Sequence, residues 1–125
     1  MSRILYKPNE VGERPWGTWK CIAVGDKYIA KLITVNPRAS LSLQMHDFRD
    51  EHWIVIAGKP TITVGDVVKE YVFGQYVDIP VKTKHRLENL TSEPVSVLEV
   101  QMGDVLDEND ITRLEDIYNR INEKY

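Results

Sequence analysis

Seven short runs rich in β-branched and aromatic residues, each closed by a turn signal, constrain this chain more than any other feature. They are Tyr28–Val35, Ser40–His46, His52–Ile56, Pro60–Val64, Val67–Val72, Tyr76–Ile79 and Val95–Gln101. Gly25-Asp26, Asn36-Pro37, Gly58-Lys59, Gly65-Asp66, Gly74 and Asn89 punctuate them. Short strands at a spacing of roughly ten residues with such punctuation predict an all-β sandwich or barrel. With 125 residues the chain has the length of one domain. Within it, residues 1–20 mix charges, Pro and Gly and read as an arm, and 21–102 form the barrel. Near the end the period changes. Ile111, Leu114, Ile117 and Ile121 recur at spacings of three and four, which predicts an amphipathic α-helix over 107–122, capped by Asp107 and packed on the barrel wall.

Composition excludes several functions. Sixteen Lys and Arg against nineteen Asp and Glu leave a net charge of −3, so no basic footprint for nucleic acid or an anionic membrane is expected. No apolar stretch approaches the ~20 residues that span a bilayer. The apolar core of Met1–Pro8 is too short for a secretory signal. One cysteine, Cys21, allows neither an internal disulfide nor a multi-cysteine metal site. A reducing, cytoplasmic setting is the expectation, with Cys21 as a buried hydrophobe.

The chemistry concentrates in four side chains. In a strand, residues two apart share a face, so Gln44 and His46 aim an amide and an imidazole at one point. Four residues intervene, Asp47-Phe48-Arg49-Asp50, which suit a tight connection, and Glu51 then opens a run that a neighbouring antiparallel strand can bring back beside His46, with Trp53 and Val55 on its face. Downstream, Pro80 fits a strand end, and His85 opens another strand. An amide, a carboxylate and two imidazoles suit one divalent ion of the borderline class (Zn, Mn, Co, Ni or Fe) rather than Ca or Mg. His52 neighbours Glu51 and points to the other face.

Gln44-x-His46-x4-Glu51-x6-Gly58, followed by Gly74-x5-Pro80-x4-His85-x3-Asn89, resembles the paired motifs of the cupin superfamily, in the variant where Gln replaces the first His. More narrowly, the chain is similar to the C-terminal isomerase domain of type II mannose-6-phosphate isomerase/mannose-1-phosphate guanylyltransferases. The similarity runs through Arg14-Pro15-Trp16-Gly17, Leu41–His46, Arg49-x-Glu51-His52-Trp53, His85–Asn89, Glu99-Val100-Gln101 and Asp110-Ile111-x-Arg113-x-Glu115-Asp116. The chain departs from that family at Phe48, where it usually has His, at Asp47, where it often has His, and at Arg38, Lys82 and Asn119, where it usually has Gly. Nothing in it resembles the guanylyltransferase half.

The resemblance implies a double-stranded β-helix, the jelly-roll-like cupin barrel, here with a C-terminal helix. It also implies interconversion of mannose 6-phosphate and fructose 6-phosphate with one divalent metal ion, in GDP-mannose biosynthesis. Gln44, His46, Glu51 and His85 would be the ligands. For the remaining roles we take polar residues on interior faces. Glu99 is the candidate base and Lys31 shares the catalytic role. Lys31, Arg86 and Arg14 are the candidates for phosphate and sugar oxygens. The expected partners are a phosphorylated sugar and a second copy of the chain in a homodimer. The competing reading is a non-catalytic sugar or sugar-nucleotide binding module that works with a partner enzyme.

Overall fold

A computed structural model describes residues 3–121. Its strands are β1 (Arg3–Ile4), β2 (Val11–Arg14), β3 (Gly17–Val24), β4 (Tyr28–Val35), β5 (Leu43–Met45) and β6 (Asp50–Ala57). There follow β7 (Thr61–Val64), β8 (Val67–Glu70), β9 (Tyr76–Ile79), β10 (His85–Glu88), β11 (Val95–Met102), β12 (Val105–Leu106) and β13 (Thr112–Glu115). One sheet has six strands in the order β2-β3-β4-β11-β6-β9, the other five in the order β13-β5-β10-β7-β8. A short parallel pair joins β1 to β12.

Alternation explains which side of each long strand is covered. In β3, Gly17, Trp19 and Cys21 are buried while Thr18, Lys20 and Ile22 face out; β4 and β11 follow the same period. The inward sets meet in a core of Trp19, Ile29, Ile33, Val35, Trp53, Val55, Leu87 and Val97. Cys21 is part of it, with no exposure, and burial raises its thiol pKa. Turns are fixed individually. Gly58 has φ +74°, and a Cβ there would stand 2.6 Å from Val95 Cγ1. The Asn89 amide donates to the carbonyls of Val35, Asn36 and Glu93, and its oxygen accepts from Thr91, tying the 36–39 turn to the 89–93 turn.

Two expectations are corrected. Residues 1 and 2 of the expected arm lie outside the described residues, and 3–20 are not a separate arm: β2 and the start of β3 are part of the six-stranded sheet, and Tyr6, Trp16 and Trp19 are core residues. The C-terminal helix expected over 107–122, whose last residue lies outside the described residues, is not formed: among the described residues there is no helix. Thr112–Glu115 instead pairs antiparallel with β5. The helical period presumed that the apolar residues go inside. The reverse holds: Leu114, Ile117 and Ile121 are exposed, and Arg113 and Arg120 are buried. Asp107 caps no helix; its carboxylate accepts from Asn109 N at 2.9 Å in a turn.

Candidate metal centre

Strand register builds the site. On the six-stranded sheet, Gln101 lies across from Glu51, and Glu99 lies across from both Trp53 and Lys31. All five side chains are buried on the inner face. On the facing sheet, His85 lies across from Gln44, and His46 follows directly after β5. The centre therefore bridges the sheets, with Glu51 on one wall and Gln44, His46 and His85 on the other.

His46, Glu51 and His85 offer ligand atoms that all lie within 4.8 Å of one another. His46 Nε2 is 3.1 Å from Glu51 Oε2, and His85 Nε2 is 3.8 Å from Glu51 Oε1. Both imidazoles are oriented from behind. His46 Nδ1–H donates to the Asp110 carbonyl at 2.6 Å, and His85 Nδ1–H to the Thr83 carbonyl at 2.9 Å. A carbonyl only accepts, so each ring carries a proton on Nδ1 and turns its Nε2 toward Glu51. Burial pushes the His85 imidazole down to about 4, which keeps it neutral at pH 7, as a metal ligand must be. His85 Nε2 is buried and has no hydrogen-bond partner. An orphaned imidazole nitrogen aimed at a carboxylate, with a second imidazole beside it, is a donor set that fits a borderline divalent cation. Gln44 lines the same cavity, its Oε1 3.3 Å from Ser42 Oγ.

Arg49 was read from sequence as part of a tight connection. It stands two residues before Glu51, and the period of two that placed Gln44 beside His46 would have found it. Its Nε donates to Glu51 Oε2 at 2.8 Å, and its Nη2 approaches His46 Nε2 at 3.2 Å. Burial opposes the Glu51 charge, yet His46 and Arg49 outweigh it and hold the carboxyl well below its ordinary range. Asp110, expected at a helix start, organises the loop after β5. Its carboxylate accepts from the backbone N–H groups of Asp47 and Phe48 while its carbonyl holds His46. Phe48, where the resembled family usually has His, is 59% exposed and stands outside the cavity.

The other sequence candidates divide. Glu99 and Lys31 face the cavity. Burial pushes the Glu99 carboxyl up to about 8, with the Glu51 charge adding to it; burial pushes the Lys31 ammonium down to about 8. Lys31 Nζ lies 4.0 Å from the Tyr6 ring centroid and 4.4 Å from that of Trp19. Gln101 Nε2 donates to Glu99 Oε1 at 2.6 Å. Arg14 also lines the cavity, its Nη2 2.5 Å from Glu108 Oε1. Arg86 lies elsewhere. It is next to inward-facing His85, so its side chain takes the opposite face, where it pairs with Glu88 at 3.0 Å and Glu115 at 3.1 Å. Arg113 and Arg120, in the stretch read as a helix, line the cavity; no strand period marked them. The open space is about 70 Å³, room for an ion and several waters.

Comparisons with known proteins agree with this architecture. A family described as "Mannose-6-phosphate isomerase C-terminal" matches residues 3–116. The xanthan biosynthesis protein XanB of Xanthomonas campestris pv. campestris (strain B100) is 47% identical over 107 residues, covering 86% of this chain and 23% of that protein. The mannose-1-phosphate guanylyltransferase ManC of Salmonella typhimurium is 42% identical over 108 residues, covering 86% and 22%. The chain thus spans less than a quarter of the length of these curated relatives. Among solved structures, the S161A mutant of Bacillus subtilis oxalate decarboxylase OxdC superposes with a TM-score of 0.71 at 25% identity, covering 84% of this chain and 30% of that one. The fold is all-β and cupin-like. Among the described residues no helix is long and apolar enough to cross a membrane.

Proposed function

This chain belongs to the mannose-6-phosphate isomerase C-terminal family, and on that premise we propose that it is a metal-dependent sugar-phosphate isomerase interconverting mannose 6-phosphate and fructose 6-phosphate. The observation that carries this reading is the orphaned His85 Nε2, turned on Glu51 beside His46, where His46 and Glu51 line a cavity together with Glu99. Gln44, His46, Glu51 and His85 would hold the ion, and the ion would polarise the sugar carbonyl as a Lewis acid. Aldose–ketose interconversion moves one proton between C2 and C1 and another between O2 and O1. Glu99 takes the carbon proton on its carboxylate and returns it to the neighbouring carbon. Its raised pKa gives it basicity for that task near neutral pH. Lys31, held over the Tyr6 and Trp19 rings, presents an ammonium to the sugar oxygens. The Trp53 indole donates to both carboxylates and keeps Glu99 at a set distance from Glu51.

The test is incubation of the purified chain with mannose 6-phosphate and each borderline divalent metal in turn, with fructose 6-phosphate as the readout. Wild-type turnover by metal-free protein would overturn the reading. A second reading, the non-catalytic sugar or sugar-nucleotide binding module that works with a partner enzyme, is favoured by one observation: the relatives, matched over less than a quarter of their length, are named for xanthan biosynthesis and guanylyl transfer rather than for isomerisation. The same assay decides between them.

The homodimer is part of the proposal. On the outer face of the six-stranded sheet, Lys20, Leu32, Leu98, Ile54 and Tyr76 stand in one row across five strands, with Asp78 two residues beyond Tyr76 on its strand. A second copy turned about a two-fold axis parallel to the strands lays this apolar row on its own image and brings Lys20 toward Asp78. Sedimentation velocity should give a dimer, and Ile54→Lys a monomer; a monomeric wild type rules the interface out.

A further inference from the structure

Among the described residues, one hydroxyl is buried with no hydrogen-bond partner, and it is Tyr6 Oη. A buried donor without a partner forfeits the water it bonds in the unfolded chain, so such a group calls for an occupant beside it. Tyr6 is 6% exposed and lines the cavity together with Glu51 and Glu99. Trp19 Nε1 also lacks a partner, but a Cβ on Gly12 would stand 2.1 Å from it, so the indole nitrogen rests against β2.

Backbone and side chains fix where the phenol sits. Just after β1 the Leu5 N–H donates to the Leu106 carbonyl at 3.1 Å, and the turn behind Tyr6 closes with Glu10 N donating to the Lys7 carbonyl at 3.1 Å. Trp19 meets the Tyr6 ring edge to face, with centroids 5.6 Å apart. Lys31 Nζ lies 4.0 Å from the Tyr6 centroid, and Lys31 stands across from Glu99 in the β4–β11 register. The phenol is therefore a neighbour of the Glu99–Lys31 pair, on the side of the candidate base. Burial raises its pKa and the Arg49 charge offsets only part of that rise, so the hydroxyl carries its proton at neutral pH.

The isomerase reading moves the carbon proton through Glu99 and leaves the proton between O2 and O1 without a carrier. We propose that the Tyr6 hydroxyl carries the proton between the two sugar oxygens. As Glu99 takes the C2 proton, the C2–H electron pair becomes the C1–C2 double bond, and the carbonyl pair on O1 takes the Tyr6 proton. Tyr6 then takes the O2 proton. The O2–H pair becomes the new carbonyl bond, and the C1–C2 double-bond pair takes the carbon proton back from Glu99 at C1. Both side chains end as they began. While its proton is away, the phenolate has the Lys31 ammonium over its ring. The inference rests on the isomerase reading of the cavity, and it gives a chemical role to a residue in the stretch that reads from sequence as an arm.

The experiment uses the full chain, metal-loaded, as wild type and Y6F. It reads metal content, Tm without substrate, and kcat and KM on mannose 6-phosphate. Phe keeps the ring that Trp19 and Lys31 pack on and deletes only the unpartnered atom. Y6F should therefore keep its metal, melt no lower than wild type, and lose about 10²–10⁴ in kcat with KM nearly unchanged. A structural hydroxyl gives the opposite pairing, a lower Tm with a loss of kcat that follows it, and that result overturns the assignment. Wild-type kcat in a folded, metal-replete Y6F also overturns it and leaves the isomerase reading standing. A wild type that turns over no mannose 6-phosphate with any borderline metal overturns both. If Y6F does not fold, the Tyr6 Cζ resonance of the wild type decides: a shift when mannose 6-phosphate is added supports the proposal, and no shift overturns it.

Discussion

Glu51 and Glu99 stand on adjacent strands of one wall, both accept from the Trp53 indole at 3.0 Å, and are almost equally buried. They are opposite kinds of acid. Glu51 has Arg49, His46 and His85 around it and stays ionised; Glu99 is pushed up by burial and by Glu51 itself, and Lys31 offsets this only in part. Burial acts the same way on both, so the neighbours decide. Two carboxylates whose pKa values are driven apart are the arrangement expected of one group that holds a cation and one that trades a proton.

Removing the first side should do the most damage. Glu51→Gln takes the only anion from the set of candidate ligands and leaves the buried Arg49 guanidinium without its charge partner. Loss of the bound metal and of turnover together is expected, with a stability cost of about 3–5 kcal/mol, read by metal analysis and denaturant unfolding. His46→Ala and His85→Ala should lose metal and turnover too. A Glu51→Gln protein that keeps its metal would break the comparison at its root.

Removing the second side should separate the roles. Glu99→Gln should retain metal at the wild-type level and lose about 10²–10⁴ in kcat, in a protein that still folds because Gln101 and Trp53 can hydrogen-bond the new amide. Equal metal loss in both variants would mean that the two carboxylates form one structural network.

A third carboxylate sharpens the contrast, because it is held by charge but does no chemistry. Burial would raise the Asp116 pKa, but hydrogen bonds from the Arg120 side chain and backbone outweigh it and bring the value below the ordinary 3.8. A depressed carboxyl pKa contributes stability that is fully present above the unfolded value and is lost as pH falls through the folded one. Asp116→Asn should therefore cost about 1.5–3 kcal/mol at neutral pH, and the difference from wild type should shrink below pH 3.8. Urea midpoints across that range measure it; a gap independent of pH would assign the loss to packing.

The ease of reading these regions from sequence follows the same physics. Gln44, His46, Glu51 and Lys31 obey the strand period, and a period of two needs no knowledge of what the interior contains. The 111–121 segment misled because the helical template assumes an oily interior. Here the interior facing that segment is a charged cavity, so Arg113 and Arg120 go in and Leu114, Ile117 and Ile121 stay out. Arg86 misled for a simpler reason: as the neighbour of inward-facing His85, alternation itself should have placed it outside.

The smallest expected effect lies behind the Glu51 side, in the turn that supports His46. Lys82 N donates to the His46 carbonyl at 2.8 Å, from a residue whose φ is +58°. Arg38 and Asn119 have φ of +61° and +59°, so the three positions where the resembled family usually has Gly all adopt left-handed backbone. A side chain in that region costs about 1–2 kcal/mol, while glycine loses about 0.5–1 kcal/mol more in conformational entropy on folding. The balance favours glycine by about 0.5 kcal/mol. Lys82→Gly keeps the backbone N–H that holds His46, so it should raise Tm by about 2 °C with metal content unchanged. A drop in Tm would mean that the exposed lysine makes a contribution larger than its backbone strain, and the turn would then have to be counted as part of the support for the metal side rather than as a neutral hinge.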